Sequence, residues 1–450
     1  MRIPADEISN PIPIAAQAGQ AAAALEAAAL AKVKRRLLPF LFVLYIVAYL
    51  DRINVGFAAL QMNRALGLSD AVFGFGAGLF FAGYFIFEIP SNLILARVGA
   101  RRWIARIMLT WGVVAIAMTA VRGPASFCAL RFTLGAAEAG FFPGVILYLT
   151  RWFPAGQRAR AVALFMTAAA VAGIVAGPVS GALLMMHDTL GIAGWQWLFL
   201  LEGAPAIALG IAVAFRLPDG PEDARWLSDE ERNALLEMNA RERSAAAGRA
   251  YRLADSLKDA RVWLLALIYF GIVFGLYGVS FWLPQIVQGF RASSDFVIGL
   301  ITAIPFIAAV FAMVRVGAIS DAISRSGGDR RRVLAVCAFV GAGGFIVSAI
   351  VRGPAFELAA IALGAAGIFS SFGPFWAIPP EFLGGTAAAG AIALVNSLGN
   401  LGGFCGPYVV GLMKGSSHSF KGGLAVLALS VGISGALALT LPSGNDARML

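Results

Sequence analysis

The chain has 450 residues, of which 59% are hydrophobic and only 13% charged, and its mean hydropathy is +0.80. A soluble domain carries about 25% charged residues, so a water-soluble globular fold is excluded. A net charge of +10 and a pI near 9.9 would suit a nucleic-acid binder, but most of the Lys and Arg fall on one side of the apolar stretches. That is the positive-inside pattern, and it needs no nucleic-acid partner.

Residues 1–36 are rich in Ala and end in Lys32, Lys34, Arg35 and Arg36. A secretory signal has its basic residues before the apolar core, so the stretch reads instead as a cytoplasmic tail, partly helical at best. Six apolar spans follow, at 37–60, 71–95, 102–121, 125–150, 158–184 and 194–216, each near the 20 or so residues that cross a bilayer. Residues 217–260 are densely charged and form a cytoplasmic connector. Within it, Ser228 and Glu231 have capping-box spacing ahead of a helix predicted from Asp229 to Arg243. Six more spans lie at 261–288, 296–319, 331–351, 355–382, 387–413 and 421–442, and 443–450 form a short tail.

The two sets of six are related by a parallel repeat. Arg122-Gly-Pro-Ala125 recurs as Arg352-Gly-Pro-Ala355, Leu134-Gly-Ala-Ala137 as Leu363-Gly-Ala-Ala366, and Gly173-x-x-x-Gly177-Pro178 as Gly402-x-x-x-Gly406-Pro407, all at nearly one offset. The fold class is therefore all-α and polytopic, with twelve transmembrane helices in two pseudo-symmetric halves, 37–216 and 261–442. Such a repeat places a substrate site between the halves at mid-depth.

Ionised groups inside a bilayer are costly, and they cluster where transport occurs. Asp51 and Arg52 sit side by side in the first span. Arg131 and Glu138 lie two helical turns apart in the fourth and share a face. Two readings stand for the latter pair: a buried ion pair that fixes packing, or part of a transport site, which the Asp51–Arg52 set favours. Burial favours a neutral carboxyl and a nearby arginine an ionised one. Ionised acids can thus neutralise the arginines, and protonated acids release them to a carboxylate ligand, which arginine holds with two parallel hydrogen bonds. Glu88 and Glu202 read more readily as structural, and His187 and His418 fall in outer loops. Tyr84, Asn396 and Trp376, the last between Pro374 and Pro379-Pro380, can shape a cavity, because helix breaks at membrane depth are tolerated where they line one. The run Tyr277, Phe281 and Trp282 reads as packing. Gly173, Gly177 and Gly181 make a thin helix face suited to close contact.

No nucleotide loop, metal-ligand cluster or nucleophile–base arrangement is present, so neither an enzyme nor a cofactor or metal is expected. Cys128, Cys337 and Cys405 read as small buried apolar residues.

The chain resembles the major facilitator superfamily, and more narrowly the anion:cation symporter family. The resemblance rests on Tyr49-Leu-Asp-Arg-Ile-Asn54, Glu88-Ile-Pro-Ser-Asn92, Arg131-Phe-x-Leu-Gly-x-x-Glu138, Arg151-Trp-Phe-Pro154, Trp226-Leu-Ser-x-Glu-Glu231, and Gly385 to Asn400. It implies proton-driven uptake of an organic anion, such as a sugar acid, tartrate or an aromatic acid, across the inner membrane by alternating access. Both termini are then cytoplasmic and a monomer suffices. It further implies proton coupling through Asp51 and Glu138 with Arg131 interacting, and substrate binding by Arg52, Tyr49, Tyr84, Trp376 and Asn396. One departure is the turn Ala96-Arg97-Val-Gly99, which lacks the family's usual Asp, whereas Asp321 stands at its counterpart.

Overall fold

The computed structural model describes residues 14–246, 258–290, 294–379 and 385–441. Part of the expected N-terminal tail, the middle of the connector, Pro380 and the C-terminal tail lie outside the described residues. Among the described residues there is no strand. Eleven stretches are long and apolar enough to cross a membrane. The twelfth crossing, expected at 387–413, is made of two helices, each too short alone.

The N-terminal half comprises α1 (Ile14–Ala65), α2 (Asp70–Val98), α3 (Ala100–Ala117), α4 (Pro124–Glu138), α5 (Phe141–Leu149), α6 (Ala155–Leu184) and α7 (Gly194–Arg216). The connector helix is α8 (Asp229–Ala246). The C-terminal half comprises α9 (Ala260–Gln288), α10 (Asp295–Arg325), α11 (Arg330–Ile350), α12 (Pro354–Ala377), α13 (Gly385–Asn400), α14 (Gly402–Ser417) and α15 (Lys421–Thr440). The two halves meet along α1–α9, α2–α14 and α6–α10. The last two contacts are images of one another under the repeat.

Three local departures from the sequence reading matter. First, α1 starts at Ile14 and runs unbroken into the membrane, where a tail only partly helical was expected. Ala29, Val33 and Leu37 recur at helical spacing and are buried. Lys32 and Glu26 tie this stretch to α8 through Glu231 at 2.7 Å and Arg241 at 3.2 Å. The predicted capping box is present: Ser228 N donates to Glu231 at 2.9 Å and Glu231 N to Ser228 Oγ at 3.2 Å. The Lys32 hydrogen bond, with the Ser228 amide behind it, holds the Glu231 carboxyl below its ordinary range.

Second, the span expected at 125–150 breaks immediately after Glu138. Ala139 is extended and Gly140 takes a φ of 87°, a conformation that costs glycine little. Gly140 packs on Ser91, where a Cβ would collide, and Ser91 in turn accepts from the Trp103 indole at 3.0 Å. Third, the eleventh span breaks at Leu401, beside Gly402 and Gly403. A Cβ at Gly402 would strike the Phe270 carbonyl, so this second half-helix starts in direct contact with α9.

The acid absent from the turn at Gly99 comes from after α7. Asp219 accepts from the Arg101 amide at 2.7 Å and lies 3.6 Å from its guanidinium. Asp321 pairs with Arg330 of its own half at 3.1 Å.

At the end of the bundle far from the termini, the halves are closed against each other. A Cβ at Gly177 would strike the Gly299 carbonyl, and one at Gly181 would lie 2.7 Å from the Asp295 carbonyl. The Gly173–Gly177–Gly181 stripe therefore packs wholly on α10. Asp70, at the start of α2, pairs with Lys414, at the end of α14, at 2.7 Å, with each charge matched to its helix dipole. Gln61 donates to Asp295 at 2.7 Å across the same seam. Gly177→Leu should therefore force this end apart. A lower melting temperature in detergent and faster labelling of a cysteine placed at Asp295 are expected; labelling unchanged from the parent would mean that the stripe is not a seam.

Candidate functional site

The site lies between the halves at mid-depth. The lining includes Tyr45, Tyr49, Arg52 and Tyr84 from the first half and Tyr269, Tyr277, Phe372, Asn396 and Asn400 from the second. Among the described residues, Arg52 is its only charged lining residue. It forms an ion pair with Glu138 and donates to the Tyr277 hydroxyl at 3.0 Å. The guanidinium also lies over the rings of Phe80, at 5.2 Å, and Tyr84, at 5.4 Å. One cation thus touches α1, α2, α4 and α9, which span both halves.

The pairing differs from what helix periodicity alone suggests. Arg131 and Glu138 do share α4 and both are fully buried, yet Glu138 turns to Arg52. Arg131 has no ion pair within 4.0 Å among the described residues. Instead it donates to the Ala77 carbonyl at 3.2 Å and lies over Phe80 at 5.1 Å and Phe281 at 5.9 Å. Phe80 is therefore approached by both guanidiniums. Asp51 is fully buried beside Asn54, whose amide donates to it at 3.3 Å. Its second oxygen has no protein partner, nor has the second oxygen of Glu138, nor Nε and Nη1 of Arg131. Burial with unmade hydrogen bonds is costly, and here it falls on the groups expected to exchange protons and ligand.

Tyr49, Tyr84 and Asn396 line the cavity, as does Arg52. Trp376 stands one ring behind it, edge-on to Tyr269 at 4.9 Å. Tyr277, read from sequence as packing, lines the cavity and shares Arg52 with Glu138. Tyr269 and Tyr45 also line the cavity, although the sequence reading passed over both. The available signal was spacing: Tyr269, Val273, Leu276 and Tyr277 fall on one helical face. It was masked because α9 is apolar throughout and buried nearly all round.

Glu88 and Glu202, read as structural, are both buried and hydrogen-bonded. Glu88 accepts from Asn396 at 2.9 Å and Ser397 at 2.7 Å, and Glu202 accepts from Ser180 at 2.7 Å. No group of three or more potential metal ligands occurs among the described residues.

A two-half helical bundle around a central charged cavity defines a multi-pass membrane carrier. The model of the Major Facilitator Superfamily matches residues 41–407, and the chain belongs to that superfamily. A protein of Agrobacterium vitis named "Putative tartrate transporter" is 49% identical over 93% of this chain and 92% of its own length. A "Quinolone resistance transporter" of Acinetobacter baumannii is 42% identical over 88% of this chain and 90% of its own. Among solved structures, a bacterial homologue of the human lysosomal transporter Spinster, 15% identical, superposes with a TM-score of 0.73 over 91% of this chain and 96% of that one, a likeness of fold. The chain is a transporter and not an enzyme.

Removing one partner of a buried ion pair costs about 3–5 kcal/mol, because the other charge is left bare. Arg52→Gln should therefore lower the melting temperature of the purified protein. The double variant Arg52→Gln with Glu138→Gln, which buries neither charge, should recover most of the loss. Additive destabilisation in the double variant would show that the two side chains do not act as a pair.

Proposed function

We propose that the protein takes up a small organic anion in symport with protons, by alternating access, working as a monomer in the inner membrane with both termini in the cytoplasm. The observation that carries this reading is Arg52. Among the described residues it is the one cation lining the cavity, and it is already held by Glu138 of its own half and Tyr277 of the other. A carboxylate ligand needs the same guanidinium edge that Glu138 uses. Ligand and ionised Glu138 therefore compete for Arg52, and protonation of Glu138 removes the competitor.

The buried charges support this logic. The buried residues of the spans include four acids, Asp51, Glu88, Glu138 and Glu202, against two bases, Arg52 and Arg131. With every acid ionised, this interior repels an anion. Proton uptake by Asp51 and Glu138 brings acids and bases into balance and releases Arg52 as a local positive site, while Arg131 interacts electrostatically with both acids. Tyr49, Tyr84 and Asn396 supply hydrogen bonds around the ligand, and Trp376 backs the cavity wall. The narrower anion:cation symporter resemblance and the tartrate relative support a carboxylate. The basic residues concentrated on the connector side support the orientation.

The quinolone-resistance relative favours a second reading, in which a larger or less acidic solute is carried and Arg52 is structural. Proteoliposome transport separates the two readings. Glu138→Gln should keep exchange of preloaded anion while losing accumulation driven by an imposed proton gradient, and Asp51→Asn should behave similarly. Full gradient-driven accumulation in both variants would remove the acids from the coupling.

A further inference from the structure

Glu88 lies on α2 one helical turn beyond Tyr84, toward the termini, and is 3% exposed. It belongs to the first half, yet both of its oxygens are engaged by the second. Asn396 Nδ2 donates to Oε1 at 2.9 Å and Ser397 Oγ donates to Oε2 at 2.7 Å, from adjacent positions on α13. The scheme above uses Asn396 and leaves Glu88 without a task.

Hydrogen-bond sense supplies one. A carboxylate only accepts, whereas a side-chain amide has a donating nitrogen and an accepting oxygen on opposite arms of one plane. With Glu88 ionised, Asn396 must turn its nitrogen toward α2, and its oxygen then points the other way. That oxygen has no hydrogen bond to any described residue, and it is not sealed off. Asn396 itself lines the cavity. What the site offers a ligand at this point is an acceptor. A ligand hydroxyl can satisfy it, whereas a second carboxylate oxygen or a bare methylene cannot.

We propose that Glu88 is a positioning residue: it fixes the sense of Asn396 and so makes the cavity favour a carboxylate that bears a hydroxyl donor over the same carbon skeleton without one. The inference rests on the anion reading, in which Arg52 holds the carboxylate. A glutamate that merely tied the two halves together would alter the binding of both ligands in parallel. A glutamate that sets the amide's orientation alters their ratio.

The test uses purified full-length protein and titration calorimetry with tartrate and succinate, four-carbon dicarboxylates that differ only in their hydroxyls. The parent should bind tartrate more tightly. Glu88→Gln presents both a donor and an acceptor, so Asn396 can turn either way. The tartrate-to-succinate ratio should then fall about threefold to tenfold, the worth of one hydrogen bond, with succinate affinity held. Asn396→Ala should lower the ratio similarly, and Glu88→Gln added to it should change nothing more. An unchanged ratio, parallel losses for both acids, or additive effects in the double variant would overturn the proposal. If Glu88→Gln does not reach the membrane, Asn396→Ala alone decides, and an unchanged ratio there overturns it equally; Ser397→Ala, which leaves Glu88 accepting from Asn396, should keep the ratio of the parent. A parent that binds both acids alike refutes this inference and leaves the anion reading standing, whereas a parent that binds neither refutes the anion reading beneath it.

Discussion

The contact between Arg52 and Glu138 organises the interior. Each group would be costly in the membrane alone, and pairing returns part of what desolvation removes. The pair is not closed on itself, however. Arg52 also reaches Tyr277 in the other half, and Glu138 keeps an oxygen without a protein partner. An interaction strong enough to be stable and incomplete enough to be exchanged is what a carrier requires at its centre. The surrounding structure serves this contact. The helix break after Glu138 ends α4 at the acid, and the ring of Phe80 contacts both guanidiniums.

The closed end away from the termini is held by contacts of several kinds. Its seam includes backbone contacts at Gly177 and Gly299, a buried ring pair, Phe73 edge-on to Trp282 at 5.0 Å, and polar links that are partly exposed, Asp70–Lys414 and Gln61–Asp295. Such links are worth little individually, because water can replace them. Packing inside the first half is deep and apolar. Trp111, Trp152 and Phe127 are fully buried there, and opening around them would expose large apolar surface. Under the alternating access proposed above, the halves would move as bodies while such packing stays intact.

Much of this was legible in the sequence, and the limits have physical causes. Asp51, Arg52, Arg131 and Glu138 stood out because ionisable residues are conspicuous against an apolar span. Their partners did not, since Arg52–Glu138 joins residues 86 apart, Arg52–Tyr277 joins residues 225 apart and Glu88–Asn396 joins residues 308 apart. Helical spacing tells which residues share a face of one helix and cannot tell which face of another helix they meet. For that reason Arg131 looked like the partner of Glu138. The breaks at Gly140 and Leu401 were signalled only by glycines in a glycine-rich chain. The helical start of α1 was hidden because its stability comes from docking on α8, a tertiary contact.

The central claim is that an anion displaces Glu138 from Arg52 only when a proton takes its place. The most direct measurement is proton uptake on ligand binding, with tartrate added to purified protein in weakly buffered solution and the pH followed. The account predicts that protons leave solution in step with anion binding and that Glu138→Gln binds the anion with less uptake. Anion binding with no proton uptake in the parent, across the pH range where transport is driven, would contradict it.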